Sequence, residues 1–286
     1  MNINTIETGF FKLDGGAMFG VVPRRLWERL NPPDAQNLCT WAMRCLLIET
    51  TDRKILIDTG IGDKQDEKFR SHFEPHGAHT LAKSLAARGL SPEDITDVLL
   101  THLHFDHVGG AVLKDASGRL VPAFPRALYW SNEVHYNWAM QPNERERASF
   151  LKENFVPLQT AGVLHFIPVS EADVAWLPGI HLRFVYGHTE AMMVVLIRTE
   201  GRTLVYCADV IPSSYHIGLP YVMSYDVRPL LTLQEKARIL EDAVAQGHLL
   251  CFEHDPDIAC ATVKQDERGR IVLDKTFPSV EAALYS

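Results

Sequence analysis

The sequence predicts an α/β fold, because short apolar segments typical of buried strands alternate with segments that have the periodicity of amphipathic helices. A chain of 286 residues with 46% hydrophobic side chains can bury a sizeable core, which excludes wholesale disorder. The strand-like segments are short, apolar and often β-branched. They are Cys45–Glu49, Lys54–Asp58, Asp97–Thr101, His181–Tyr186, Thr203–Cys207 and Leu249–Glu253.

Two segments between the strands have helical apolar spacing. Thr80–Arg88 is followed by Gly89, and Thr232–Gln246 is followed by Gly247. Glycine is common just after the end of a helix, so both segments are predicted to be helices. The second is amphipathic, and its predicted buried face consists of Leu233, Ala237, Leu240 and Val244.

Two further regions lack a clear period. Residues 124–166 are rich in aromatic and charged side chains, and we expect one or two helices there that lie over another part of the protein. Residues 15–41 contain glycine, proline and tryptophan and are predicted to be a loop. No repeat or linker marks a boundary, so we expect residues 1–286 to form a single domain.

The charge balance and the cysteines exclude several classes of protein. A net charge of −8 without a basic run disfavours nucleic-acid binding. No apolar stretch approaches the roughly 20 residues that a membrane helix needs, and the first residues lack the pattern of a secretory signal. The five cysteines are scattered and are expected to be buried or free thiols. We therefore expect a cytoplasmic protein without nucleic-acid or membrane partners.

The segment THLHFDHVGG, directly after the predicted strand Asp97–Thr101, contains a dense group of side chains that can bind metal ions. It contains His102, His104, Asp106 and His107 within six positions. Residues two apart lie on the same side of an extended chain, so the first two histidines can bind one ion together. The other two residues follow in the next turn and can serve a second ion. Imidazole and carboxylate ligands suit Zn²⁺, Fe²⁺, Mn²⁺ or Co²⁺.

The grouping of these side chains favours metal binding over a purely structural role. A lone buried histidine is more often a hydrogen-bonded core residue than a ligand. Four polar groups at one strand end are costly to desolvate unless a partner neutralises them. Gly109 and Gly110 close the motif and are expected to permit a tight turn into the next helix.

Further candidate residues follow other predicted strands. His188, Asp209 and His254 each come just after an apolar strand, and Asp58 ends the strand of LIDTG. Active sites of α/β folds gather at the carboxyl ends of strands. The repeated placement of histidine and aspartate at these ends therefore predicts one shared site.

THLHFDHVGG, together with LIDTG upstream and GHT, AD and EH downstream, resembles the metallo-β-lactamase superfamily of metallohydrolases from about residue 46 to residue 254. The resemblance implies a four-layer αβ/βα sandwich with metals in a groove between two sheets. The loop region 15–41 and the helical insert 124–166 would then cover that groove.

Carried over residue by residue, the resemblance implies two metal ions, with zinc as the default and iron, manganese or cobalt open. Asp58 would orient the ligands. The first ion would be bound by His102, His104 and His188, the second by Asp106, His107 and His254, and Asp209 would bridge the two.

A mechanism follows from this centre. Two cations about 3.5–4 Å apart hold a bridging hydroxide and lower its pKa towards 7. The hydroxide would attack a carbonyl or phosphoryl centre while a metal stabilises the developing oxyanion. Asp106 or Asp209 would act as the catalytic residue that takes and returns a proton.

Within the superfamily, the motif followed by FPRALYWSNEVHYNWA is most similar to the N-acyl-homoserine lactonase and phosphotriesterase branch. Flavodiiron members have glutamate in place of His104, and class B β-lactamases generally have another ligand type in place of Asp209. We expect hydrolysis of a small-molecule lactone or carboxylic ester. Hydrolysis of a phosphotriester or a thioester, as in glyoxalase II, and iron-dependent persulfide oxygenation are the alternatives.

Two departures from the lactonase pattern leave roles unassigned. Lactonases commonly read GHTPGH, whereas this chain reads GHTEAMM, which leaves Glu190, Met192 and Met193 without a role. Well-known lactonases also have a tyrosine three residues after the bridging aspartate. This chain has Pro212 there, and the candidate replacements are Tyr215 and Tyr221.

Aromatic and methionine side chains of the two irregular regions are the candidates for the lining of a substrate pocket. An aromatic and methionine lining would suit an acyl or aryl substrate, although packing is the favoured role for each such side chain. His216 and Tyr215, which follow soon after Asp209, are second-tier candidates for the site, because the chain there must leave the metal centre. Either irregular region is also a candidate homodimer contact. The lining candidates are Met18, Phe19, Trp27, Trp41, Tyr136, Trp138 and Met140.

Overall fold

Two β-sheets contain most of the strands in a computed structural model that describes residues 1–285. The chain divides into two units. The first consists of Met1–Phe10 and Met43–Val169, and the second of Phe11–Ala42 and the chain from Ser170 onward. The α/β class predicted from the sequence is confirmed.

Helices lie between groups of consecutive strands along the chain. The strands are β1 (Asn2–Asp14), β2 (Leu38–Glu49), β3 (Lys54–Ile57), β4 (Asp97–Leu99), β5 (Val112–Lys114), β6 (Leu120–Pro122), β7 (Leu128–Ser131), β8 (Leu164–Phe166), β9 (Val174–Leu177), β10 (Ile180–Val185), β11 (Met192–Arg198), β12 (Thr203–Tyr206), β13 (Leu249–Cys251), β14 (Cys260–Gln265) and β15 (Ile271–Phe277). The α-helices are α1 (Gly15–Phe19), α2 (Arg24–Trp27), α3 (Glu67–Phe73), α4 (Leu81–Ala86), α5 (Phe105–Val108), α6 (Glu133–Met140), α7 (Val156–Thr160), α8 (Pro229–Gln246) and α9 (Val280–Leu284).

The sheet of the first unit has the order β1-β2-β3-β4-β7-β8. Its strands β3, β4, β7 and β8 are parallel neighbours. Apolar side chains from these strands, including Leu56, Val98 and Tyr129, lie in one buried core. Because β3 and β4 are parallel, the residues that follow them emerge at the same edge of the sheet.

The second unit contains a seven-stranded sheet in the order β15-β14-β13-β12-β11-β10-β9. Only the pair β12–β13 is parallel among its described strands, and the other neighbours are antiparallel. Asp209 follows β12 and His254 follows β13, so the parallel pairing brings both to one edge of this sheet.

All six predicted strands are present, each close to the predicted bounds or, for Cys45–Glu49, as the end of the longer strand β2. The irregular regions contain more structure than the sequence predicts. Residues 15–41 contain α1, α2 and the start of β2, and residues 124–166 contain α6 and α7 together with two strands of the sheet, β7 and β8. These strands were missed because each is short and lies among aromatic and charged residues.

The cysteines and the helices of the described chain are as follows. All five cysteines are buried, and none forms a disulfide within the described chain. Among the helices of residues 1–285, none combines the length and the apolar character needed to cross a membrane.

Helix α8 buries a face that differs from the predicted one. Of the predicted residues, Leu240 is fully buried, whereas Leu233, Ala237 and Val244 are half-buried. The observed buried face is rotated around the helix relative to the predicted one because it includes a lysine. A pattern of apolar residues does not reveal a buried lysine. The buried residues are Thr232, Lys236, Ile239, Leu240 and Ala243.

The buried Lys236 holds the chain between Asp209 and α8. Its ammonium donates hydrogen bonds of 2.8 Å to the carbonyl oxygens of Gly218 and Tyr221. Burial lowers the pKa of Lys236 to about 7. The carbonyl acceptors compensate the desolvation of the amine and tie the loop to the helix.

We predict that Lys236→Met lowers the free energy of unfolding by about 1–3 kcal/mol, because buried carbonyl groups lose their donor. Urea unfolding followed by circular dichroism measures this change. Lys264→Met is the control, since that ammonium is exposed and pairs with Asp274 at 2.9 Å. Equal destabilisation by the two substitutions would contradict the assigned role of Lys236.

Candidate metal centre

The histidine motif lies where β4 ends, and a short helix begins inside it. His104 has extended backbone and precedes α5, so Asp106 and His107 belong to that helix. All four candidate ligands of the motif are buried. Because the chain changes from extended to helical at this point, the side chains of His102 and His104 point in a different direction from those of Asp106 and His107, as the spacing predicts.

His102 and His104 point ring nitrogens at each other. Their Nε2 and Nδ1 atoms lie 3.1 Å apart. The hydroxyl of Thr101 donates its one proton to Asp58 at 2.6 Å. It must therefore accept from Nδ1–H of His102, which lies 3.1 Å away. The neutral His102 ring then has its Nε2 lone pair directed at His104.

His107 is oriented in the same manner. Its Nδ1 donates to a carboxylate oxygen of Asp58 at 3.2 Å, and the other Asp58 oxygen accepts from the backbone N–H of Thr101 at 2.8 Å. The Nε2 atom of His107 is then a lone-pair donor that lies 3.8 Å from Oδ2 of Asp106. One buried carboxylate, Asp58, thus determines the orientation of two imidazole rings.

The two glycines that close the motif allow close backbone contact. A Cβ on Gly109 would lie 2.0 Å from the carbonyl oxygen of Ile61, and one on Gly110 would lie 2.3 Å from that of Thr59. Thr59 also donates from its backbone N–H to the carbonyl of His107 at 2.7 Å. The glycines thus permit a tight contact between the motif and the loop after β3, and they lead into strand β5 instead of the expected helix.

Residues 124–166 contribute contacts to the motif that the sequence analysis missed. His135 accepts from the backbone N–H of Leu103 at 2.8 Å. Glu146 is buried, with an oxygen 3.6 Å from Nε2 of His104, and the ring of Phe150 packs against His104 with centroids 4.8 Å apart. These residues lie well beyond the end of the motif along the chain, where no spacing pattern identifies them.

In the second unit, one carboxylate faces two histidines. Oδ2 of Asp209 lies 3.2 Å from Nε2 of His188, and Oδ1 lies 3.0 Å from Nε2 of His254. All three side chains are buried. The structure thus brings together the three candidate ligands that follow separate strands.

The opposite nitrogen of each of these rings has its own acceptor. Nδ1–H of His188 donates to Asp226 at 2.8 Å, and Nδ1–H of His254 donates to the carbonyl of Ala42 at 2.8 Å. In the neutral form of each ring, the Nε2 atom therefore directs its lone pair at Asp209. A lone pair and a carboxylate oxygen repel each other at this distance unless a proton or a metal cation lies between them.

The donor set of each unit fits divalent metal ions. Imidazole nitrogens whose other ring nitrogen donates to a carboxylate or carbonyl are typical of metal-binding histidines. Imidazole and carboxylate together suit zinc and related divalent ions. Asp226 was missed from the sequence, because it lies 38 residues after His188 and follows no strand.

Left-handed backbone occurs next to several of these residues. Asp58 has a φ of 58°, Ala208 a φ of 44° and Ala191 a φ of 51°. Such conformations are uncommon for residues other than glycine and cluster at functional sites. They place strain at the loops that carry the candidate ligands.

His216, the second candidate near the site, is a buried structural residue. Its Nε2–H donates to the carbonyl of Met18 at 2.9 Å, and its Nδ1 accepts from the Ser213 hydroxyl at 2.7 Å. Its ring stacks on Phe19 with centroids 5.1 Å apart. Burial lowers the pKa of His216 to about 3, so the ring is neutral near pH 7.

The other expected lining residues differ in exposure. Tyr215 donates to Asp257 over 3.4 Å, and Tyr221 packs edge-on against Phe19. Met18, Phe19, Trp27 and Trp41 are almost fully buried, which favours a packing role, whereas Tyr136, Trp138 and Met140 are half-buried against the core of the first unit. Met192 and Met193 are buried at the start of β11.

The profile of a protein family described as the metallo-beta-lactamase superfamily matches residues 44–248. The chain belongs to this superfamily. An N-acyl homoserine lactonase of Bacillus cereus is 26% identical over 242 residues, which cover 79% of this chain and 85% of the relative. The family assignment confirms the fold expected from the motif, and the chain is an enzyme of the hydrolase type.

Solved structures are also similar to the chain. A probable metal-dependent hydrolase from Staphylococcus aureus is 28% identical, with a TM-score of 0.84 over 96% of this chain and 98% of that protein. A dizinc quorum-quenching lactonase, solved in complex with a product, has a TM-score of 0.77 at 20% identity over 96% and 94% of the two chains. The second likeness shows the fold alone.

The neutral state of His216 predicts a pH dependence of stability. An unfolded histidine has a pKa of about 6.5, whereas folding lowers the pKa of His216 to about 3. Between these values the unfolded chain binds more protons, so the free energy of unfolding decreases as the pH falls below 6.5. The contribution of one such group approaches about 1.4 kcal/mol per pH unit.

Urea unfolding of the metal-free protein between pH 7 and pH 4 measures this slope. His216→Gln is expected to have a shallower slope than the wild type, while the exposed control His72→Gln keeps the wild-type slope. The candidate ligand histidines are the same in all three proteins, so the comparison isolates His216. Identical slopes for His216→Gln and the wild type would refute the prediction.

Proposed function

We propose that the chain is a dinuclear metal-dependent hydrolase that opens lactones or cleaves carboxylic esters. The observation that carries the proposal is the Asp209 carboxylate, whose two oxygens each face an imidazole nitrogen 3.0–3.2 Å away. His188 and His254 belong to different ions in the ligand set implied by the superfamily. A carboxylate directed at both is the arrangement expected of a bridging ligand.

The proposed ligand set is the one that the resemblance implies. It is supported by the directed ring nitrogens of both units and by the burial of every member. Zinc is the proposed metal, because the ligands suit it and it needs no redox control. His102, His104 and His188 bind the first ion, Asp106, His107 and His254 bind the second, and Asp209 is shared.

Two such ions supply an activated water at neutral pH and polarise the substrate carbonyl. The protein orients the imidazole rings of the proposed ligands through hydrogen bonds. Asp58 fixes the orientation of the rings of two histidines of the motif, and Asp226 fixes that of the His188 ring. Asp106 or Asp209 accepts the proton of the attacking water and returns it to the leaving alkoxide.

The proposed substrate is a small lactone with an acyl chain. The similarity to N-acyl homoserine lactonases supports this class, and a related solved structure has the product N-hexanoyl-L-homoserine bound at its metal centre. Residues 124–166 contact the motif through His135 and Glu146. We propose that this region forms one wall of the substrate site, within a single catalytic domain.

Proton release from N-hexanoyl-L-homoserine lactone tests the function. Zinc-loaded protein is expected to release acid, to lose activity on chelation and to regain it with Zn²⁺. Removal of a residue that orients a ligand typically costs 10–100-fold, so loss of a ligand in His104→Ala is expected to lower kcat/KM by more than about 100-fold. His165→Ala is the matched control, because this exposed histidine lies in β8 outside the motif.

The metal content of the same samples separates the alternatives. Protein with two ions per chain but no acid release would rule out the lactonase and direct the assay to phosphotriesters and thioesters. One iron per chain together with oxygen consumption would replace the hydrolase by a persulfide oxygenase.

A further inference from the structure

The loop that carries His188 connects β10 to β11 and departs from the lactonase pattern. It has Glu190 and Ala191 where GHTPGH has proline and glycine. Proline restricts the backbone, and glycine adopts left-handed conformations without cost. Ala191 has a φ of 51°, so this chain retains a left-handed turn without the residue that favours it. Other contacts must therefore hold the loop.

Helix α8 supplies one of these contacts through Glu235. Its two carboxylate oxygens accept from the backbone N–H groups of Tyr186 and Gly187 at 2.7 and 2.9 Å. Gly187 also approaches the helix closely, since a Cβ there would lie 2.4 Å from the backbone nitrogen of Thr232. The chain just before His188 is thus bound directly to the first turns of α8.

Arg228, next to the start of α8, forms hydrogen bonds with residues on both sides of His188. Its guanidinium donates to the carbonyl of Tyr186 at 2.7 Å and to the carboxylate of Glu190 at 2.6 Å. Its backbone N–H donates to the carbonyl of Gly187 at 2.8 Å. One planar side chain therefore connects the residues before and after His188, a geometry that lysine cannot reproduce.

The segment that precedes Arg228 contacts the histidine itself. Asp226 accepts from Nδ1–H of His188 at 2.8 Å, and the backbone N–H of Val227 donates to the His188 carbonyl at 3.1 Å. Any shift of the loop relative to this segment would turn the ring away from Asp209. The orientation of Nε2 thus depends on how firmly the loop is attached.

We infer that Glu190 and Arg228 are positioning residues, whose ion pair takes the place of a rigid turn and keeps His188 directed at Asp209. This inference rests on the proposed metal centre. The pair is partly buried, with 20% of the Glu190 side chain and 39% of the Arg228 side chain exposed. Its effect acts on the ion bound by His188 and leaves the other ion unchanged.

Titration of the metal-free protein with Co²⁺, followed by visible absorption and by competition with a chelator, tests the inference. The wild type is expected to bind two ions. Glu190→Gln and Arg228→Met are each expected to weaken one of them by about 10–100-fold. Because both substitutions break the same pair, the double variant is expected to be no weaker than Arg228→Met alone.

Two further variants separate positioning from general destabilisation. Arg228→Lys retains the charge and is expected to fold, but it should still lose affinity for one ion. Glu190→Pro combined with Ala191→Gly introduces a rigid turn, so the addition of Arg228→Met should then cost less affinity than it does in the wild-type loop, where it removes the ion pair as well as the bond to Tyr186. Arg183→Met is the matched control, because this arginine pairs with Asp173 and Asp242 on the same unit.

The outcomes distinguish this inference from the proposed function. Unchanged binding of two Co²⁺ ions by Glu190→Gln and Arg228→Met would overturn the positioning role and leave the dinuclear centre intact. Equal weakening of both ions, with a loss of melting temperature, would also overturn it. Fewer than two ions bound by the wild type would overturn the proposed centre and, with it, this inference.

Discussion

The orientation of buried imidazole rings is the constraint on which the candidate metal centre depends. A neutral histidine has one donor and one acceptor nitrogen, and an acceptor at Nδ1 leaves the lone pair on Nε2. Asp226 and the carbonyl of Ala42 do this for His188 and His254. The lone pairs then converge on Asp209, where only a positive charge compensates their burial.

The need to keep the imidazole rings oriented also explains why the surrounding backbone is closely packed. Ring orientation is useful only if the chain that carries the ring cannot move. The motif is held by the loop after β3 through close contacts at Gly109 and Gly110. The loop of His188 is held instead by charged side chains, including Arg228 and Glu235. Close packing and ion pairs thus perform the same task in the two units.

Much of the fold could be predicted, because strand identity is a local property. Each predicted strand is an apolar run, and short apolar runs at strand positions bury both faces. The buried face of α8 was mispredicted for a different reason. Lys236 is buried because carbonyl groups of Gly218 and Tyr221 surround its amine, and those groups come from a loop 15–18 residues away. A hydrophobic pattern carries no information about such a partner.

The sequence by itself determined the superfamily and the candidate ligands. The dense histidine motif and the placement of histidine and aspartate after apolar strands are both visible in the order of residues. Asp58 was also expected from the sequence to orient ligands, whereas only the tertiary structure revealed the other side chains that contact the motif and His188. Asp226 and Glu146 lie far along the chain from the histidines they contact, and His135 lies far from Leu103, from whose backbone N–H it accepts. Their roles arise from hydrogen-bond geometry, which depends on distance and direction in space and not on spacing along the chain.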